Sequence, residues 1–307
     1  MLHALFAAAV VIATSPPPAD AKNIALSTAI LDRVGDEIWP DWSKAPFAID
    51  LLTGGGPVEI NFAKPIPVPS YPPQLEASFP FANGVPTIVI GEPRFTIART
   101  PIRWSVTLLH EHFHQWQDTW PSYFTATAAL GLAGKDQTGM WMINYPFPYT
   151  DWNVDKAYRA AALRLADTVE AIGTPRFAPA LKAYLEARAA FKSTLSVNDY
   201  KYFAFQCWQE GVARYTEIKV ARLAARTHDS DPTFLTRDQA RALAGDADQS
   251  LFGVMRYLKS PNLTMDKRST FYAYGAAEGL VLDQAAPDWR GRYLDPSMDL
   301  GKYFPAV

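Results

Sequence analysis

Apolar residues change their spacing along this chain near residue 100. Between 45 and 98 they come in short β-branched runs, such as Pro57-Val58-Glu59-Ile60-Asn61-Phe62 and Thr87-Ile88-Val89-Ile90, punctuated by Pro and Gly. That texture predicts two to four strands, with Gly54-Gly55-Gly56 as a turn. Proline-dense residues 63–80 read as an extended loop. Ahead of this region, residues 24–38 read as a helix that ends near Pro40. Beyond Thr100 the spacing turns helical, predicting helices over 102–118, 122–131, 153–172, 176–192, 198–227, 236–244 and 268–285. The stretch 132–152 has no period yet carries Met140, Trp141, Met142, Tyr145, Phe147, Tyr149 and Trp152. Such aromatic area serves a core as well as a cleft wall. A small sheet followed by many helices predicts an α+β fold, sheet-rich over 45–98 and helical over 102–286.

The segment Thr107-Leu108-Leu109-His110-Glu111-His112-Phe113-His114-Gln115-Trp116 holds three of the chain's five histidines. It contains HExxH as His110, Glu111 and His114, a pattern that chance gives in about one chain in a hundred of this size. Read as a strand, it would put His110, His112 and His114 on one face. The flanking stripe Ile102, Val106, Leu109, Phe113, Trp116 and Trp120 recurs every three or four residues and selects a helix. There His110 and His114 lie one turn apart and can converge on one zinc ion. Glu111, about a quarter-turn away, is placed to reach a water at the metal. His112 points elsewhere, to packing or to support of the ligands.

A catalytic zinc site takes a third protein ligand and leaves one position open. His228 sits before the turn Asp229-Ser230-Asp231-Pro232 and reads as a surface residue. The run Trp208-Gln209-Glu210-Gly211-Val212-Ala213-Arg214-Tyr215-Thr216-Glu217 offers a carboxylate instead. Gly211 within a helical stretch costs about 1 kcal/mol relative to Ala and signals close approach of another backbone. Glu210 beside Trp208 and Val212 is either a ligand or a solvated carboxylate on these local features.

HExxH followed by Gln115-Trp116 resembles the HExxHQW helix of gluzincin metallopeptidases, notably their aminopeptidase branch. In that clan a later helix gives the third ligand from E-G-x-A, which Glu210-Gly211-Val212-Ala213 matches, with Glu217 at the recurrent acidic position two turns on. The resemblance implies that Glu210 is the third zinc ligand. Tyr272-Ala273-Tyr274-Gly275-Ala276 is similar to the clan's Y-x-x-G-A segment, whose Tyr assists the transition state. This implies a catalytic role for Tyr272, with Tyr274 as its rival. The gap from His114 to Glu210 is longer than in the aminopeptidases, and their amine-recognising G-x-M-E-N segment is absent. The matched motifs span about a tenth of the chain. What the resemblance implies is one zincin-like domain over 22–307, using Zn2+ to hydrolyse a peptide or protein substrate. Alternatives are a zinc hydrolase or amidase of non-peptide substrates and a non-catalytic zincin-fold binding protein.

Composition narrows the partners. Charged residues are 20% of the chain with a formal net charge of −2, which excludes a basic nucleic-acid footprint. Leu5 to Ala13 is an apolar run too short to span a bilayer, and Ala19-Asp20-Ala21 fits an A-x-A cleavage site, so 1–21 reads as a signal peptide of an exported, periplasmic or secreted protein. Val11-Ile12-Ala13 is a second such site. No later run is long enough to cross a membrane. Cys207 is the sole cysteine, so no intramolecular disulfide forms, and its apolar neighbours predict a buried residue.

Overall fold

A computed structural model describes residues 15–62, 71–82, 84–136 and 138–306, with the side chains of 80–82 left out. The leader's apolar run lies outside the described residues. The first helix, Pro18–Ile30, starts earlier than its apolar spacing predicts, with Pro at its first turn. A π turn, Leu31–Gly35, and a last turn, Asp36–Ile38, carry it to Trp39-Pro40.

The sheet has four strands: β1 (Ala48–Thr53), β2 (Gly56–Ile60), β3 (Glu76–Ala82) and β4 (Val85–Gly91). Their order is β2-β1-β4-β3, antiparallel except for the central β1–β4 pair. Thr53 pairs with Gly56, so the glycine run does make a hairpin turn, and Gly56 takes φ 116°. β3 departs from the expected loop over 63–80. Its proline content hides it, yet Pro80 is tolerated because β3 is an edge strand.

The other large departure is the helix Arg237–Lys259, predicted to stop at 244. Gly245 and Gly253 weaken the pattern, but Leu243, Ala247, Val254 and Leu258 keep one buried stripe running through them. The remaining long helices, Trp152–Ala171, Phe177–Ser193, Val197–Gln206, Val212–Ser230 and Ser269–Ala285, follow the apolar spacing closely.

The fold is α+β, and its two cores meet on one helix, Pro101–Asp118, here the motif helix. Trp104 and Leu108 pack with Ile49, Leu51, Ile88 and Ile90 on the sheet. Val106, Leu109, Phe113 and Trp116 pack into the larger helical core with Trp39, Tyr215 and Tyr293. Among the described residues no helix is long and apolar enough to cross a membrane.

Candidate metal centre

The motif helix opens on Thr100, whose hydroxyl accepts from the Arg103 amide at 3.2 Å, with Pro101 at its first position. Gln115 clamps it to the sheet. Its amide donates to Ala48 O at 2.9 Å and Pro86 O at 2.7 Å, at the start of the parallel β1–β4 pair. The His112 Nδ1–H donates to Gln115 Oε1 at 2.8 Å. Burial lowers His112 to about 4, so it stays neutral, wedged against Trp42 and Phe47. His112 is thus a packing residue that orients the clamp.

Glu210 arrives on a different element. The helix Val197–Gln206 passes into Val212–Ser230 through a π turn, Cys207–Gly211, which carries Glu210. Such widened turns often mark functional positions. Gly211 meets Gly275 of the helix Ser269–Ala285: a Cβ on Gly211 would lie 2.5 Å from Gly275 Cα, and one on Gly275 would overlap the Cys207 carbonyl oxygen. Only two glycines let these backbones touch. The contact brings the segments of Glu210 and Tyr272 together, so the Gly of each sequence motif has a packing reason.

Three ligand atoms converge. His114 Nε2 is 3.3 Å from His110 Nε2 and 3.3 Å from Glu210 Oε2, and His110 Nε2 is 3.7 Å from the same oxygen. Ligands about 2.0–2.1 Å from a tetrahedral zinc lie about 3.3–3.4 Å from one another. Among the described residues this is the one group of three His, Cys, Asp or Glu side chains close enough to hold a metal.

The far nitrogens are committed. His110 Nδ1 is 2.6 Å from Glu217 Oε1, an acceptor, so it donates. Against the upward push of burial, the charges of Arg103 and Arg214 hold the Glu217 carboxyl far below its ordinary range. Arg214 Nη1 lies 2.7 Å from Glu217 Oε2, and Arg103 pairs with the same oxygen. On the other side, His114 Nδ1–H donates to Gln117 Oε1 at 2.6 Å. Gln117 Nε2 donates to the Tyr293 hydroxyl at 2.6 Å, and that hydroxyl donates to Trp208 O at 2.5 Å. These bonds leave the Nε2 lone pairs of both imidazoles and a carboxylate oxygen pointing into one small space. With both imidazoles neutral these are three facing acceptors, an arrangement that a dication satisfies and that fits zinc in its donor set. Without the ion, and against the downward push of burial, the bonds to Glu210 and Glu217 raise His110 to about 9, so protons take the place of the dication's charge.

Glu111 is buried one position beyond His110 and is not in the converging group. Burial raises its carboxyl above the usual range, opposed by the two histidines and reinforced by Glu210 and Glu76. Glu76 begins β3, so the edge strand borders the site.

Tyr272 and Tyr274 part company. Tyr274 is fully buried, its ring tilted against Tyr158 and Tyr184 and edge-on to Phe203. Tyr272 is partly exposed and its hydroxyl lies beside Glu210 and feels the charge of Glu111. Burial, then the Glu210 charge, keeps that phenol well above its ordinary range, hence protonated. Its hydroxyl accepts from Arg268 Nη1 at 2.8 Å.

The aromatic stretch 132–152 divides. Trp141 is core, packed on Phe205. Tyr149 is half-buried and interacts electrostatically with Arg268 and Tyr202 at the site's edge. Gln117, Tyr293 and Arg268 were not singled out by sequence. Gln117 and Arg268 had a usable signal, one turn from His114 and from Tyr272. Tyr293 had none, since its contact spans 176 residues.

Comparison with known proteins adds no relative: neither a family model, nor a curated protein, nor a solved structure matches this chain.

Proposed function

We propose that this chain is a zinc-dependent metallopeptidase in which His110, His114 and Glu210 hold the ion. The observation that carries this reading is the convergence of three acceptor atoms at tetrahedral-edge distances, with both far imidazole nitrogens engaged as donors. Zinc, when bound, supplies Lewis acidity toward a carbonyl oxygen and makes an attacking water easier to deprotonate.

The chain's own groups handle the protons. Glu111 takes the proton of the attacking water and delivers it to the departing amine, a task suited to a buried carboxyl whose proton affinity is raised. The Tyr272 hydroxyl, held protonated and fixed by Arg268, donates to the oxyanion as the carbonyl becomes tetrahedral. Clustered acceptors without a base would serve a structural ion as well. The presence of Glu111 and Tyr272 beside them favours catalysis.

A peptide substrate is supported by the resemblance of the three motifs to gluzincins and by the sheet edge at the site. β3 has no strand beyond it among the described residues, and an extended peptide can add to such an edge. We also propose export, on the apolar run Leu5 to Ala13 and the small residues that follow it.

Digestion of a broad peptide library by zinc-loaded protein tests the reading. Wild type cleaves it. Glu111→Gln keeps its zinc and loses cleavage, and Tyr272→Phe loses about 10²–10³ in kcat with KM nearly unchanged. Tyr274→Phe behaves as wild type. Undiminished cleavage by Glu111→Gln would refute the mechanism.

A further inference from the structure

Arg268 stands at the edge of the centre, and neither metal binding nor proton transfer uses its positive charge fully. It precedes the helix Ser269–Ala285 directly. The residue before it, Lys267, takes φ 48° and ψ −130°, a backbone region that side-chain-bearing residues rarely adopt. That turn delivers Arg268 to the face of the helix that carries Tyr272, one turn further on. Strained backbone concentrates where a fold must aim a functional group.

A guanidinium has five N–H donors. One hydrogen bond is made, from Nη1 to the Tyr272 hydroxyl. Glu210 Oε1 lies 3.6 Å from the same nitrogen, an ion pair outside hydrogen-bonding range. The Arg268 side chain makes no other hydrogen bond or ion pair among the described residues, and it is 29% exposed. The remaining N–H groups of the guanidinium are therefore without a protein acceptor among the described residues, on a side chain that is partly open to solvent. Its surroundings are the phenols of Tyr149, Tyr202 and Tyr272, whose rings exclude water and strengthen whatever ion pair forms there.

Charge decides what fits. Glu210 and Glu76 both press electrostatically on Glu111, so an anionic substrate group is disfavoured beside that carboxyl. The other nearby arginines, Arg103 and Arg214, are spent on Glu217 behind His110. Among the described residues near the centre, Arg268 is the cation with free side-chain donors. A guanidinium edge of this kind matches a carboxylate, two parallel bonds to two oxygens.

We propose that Arg268 is the specificity-determining residue of the site, binding a substrate carboxylate close to the scissile bond. The chemistry is shared by a peptide's C-terminal carboxylate and an acidic side chain. This rests on the peptidase reading for the bond that is cut, but not for the binding of the carboxylate.

The test uses zinc-loaded Glu111→Gln protein, which binds without turnover, and calorimetric titration with short peptides. One pair differs only in a free against an amidated C-terminus. A second pair, both amidated, differs only in Glu against Gln. In the Arg268 background one pair or the other is discriminated by about 10–100-fold in favour of the carboxylate, and that pair names its source. Arg268→Gln brings the ratio to near one with zinc retained, and Arg268→Lys restores part of it because charge returns without the fork. The proposal is overturned by equal affinity within both pairs, or by discrimination that survives Arg268→Gln. It is equally overturned if Arg268→Gln slows all peptides alike in the active enzyme with no change in preference, since Arg268 then acts only through Tyr272. Carboxylate binding through Arg268 without cleavage by wild type would sink the peptidase reading and leave this one standing.

Discussion

At the scale of single residues, the site is a competition among carboxylates for cations. Glu217 is held ionised by two arginines and Glu210 by the histidines, whereas at Glu111 burial outweighs the pull of the same histidines. That inequality fits the roles proposed for them as orienter, ligand and base. Asp50 shows what a carboxylate does with no cation at all. It lies in the middle of β1, 0% exposed, with both oxygens lacking a hydrogen-bond partner. Burial, and after it the charge of Glu59, raises it to about 7. Its unfolded-state value is 3.8, so from there to about 7 the unfolded chain has released a proton that the folded chain keeps. Stability from this group is therefore highest below 3.8, falls as pH rises to about 7 and is level above that. Asp50→Asn keeps the shape without the charge. Thermal melts should show the variant several degrees more stable than wild type at pH 8, with the gap closing toward pH 4. A gap that is constant across this range would mean that Asp50 is ionised in the fold.

At the scale of elements, much of the site was legible in sequence. The His110–His114 pair was readable because the apolar stripe fixed the helix and the helix fixed the spacing. Glu210 was half-readable: Gly211 announced a close approach, but not that Gly275 was the partner. β3 and the far half of Arg237–Lys259 were hidden because local propensity, from prolines in one and glycines in the other, ran against tertiary burial. The Gln117–Tyr293 relay was beyond reach, since nothing local links residues so far apart in the chain. The glycine contact makes a sharp prediction. Ala is the better helix former by about 1 kcal/mol, so Gly253→Ala, with nothing within 4 Å of the new methyl, should stabilise. Gly275→Ala should do the reverse, by about 1–3 kcal/mol or more, because its methyl overlaps the Cys207 carbonyl and forces the helices apart. Zinc affinity should fall with it, as Glu210 moves off the histidines. Equal melting temperatures and equal zinc affinities for wild type and Gly275→Ala would show that the contact does not set the ligand geometry.

At the scale of the whole molecule, the candidate metal centre is where separate parts of the chain are pinned together. The motif helix carries His110 and His114, the π turn carries Glu210, the helix Ser269–Ala285 carries Tyr272, and the C-terminal region reaches His114 through Tyr293 and Gln117. The N-terminal helix is part of the same body: Asp20 and Asn23 are buried, and Ser27 donates to Ser105 O of the motif helix at 3.0 Å. Removal of the leader after Ala21 would cut this helix inside its first turn, whereas processing at Val11-Ile12-Ala13 would leave it whole. If the chain is exported as proposed, mass spectrometry of the mature protein should find an N-terminus upstream of Pro18, and one at Lys22 would contradict this. The central claim concerns the ion. Metal analysis of protein purified from zinc-replete cells addresses it most directly, with wild type and Glu210→Ala measured side by side. The account predicts about one zinc per chain in wild type and a marked loss in Glu210→Ala. Wild type without zinc, or Glu210→Ala with as much zinc as wild type, would contradict it.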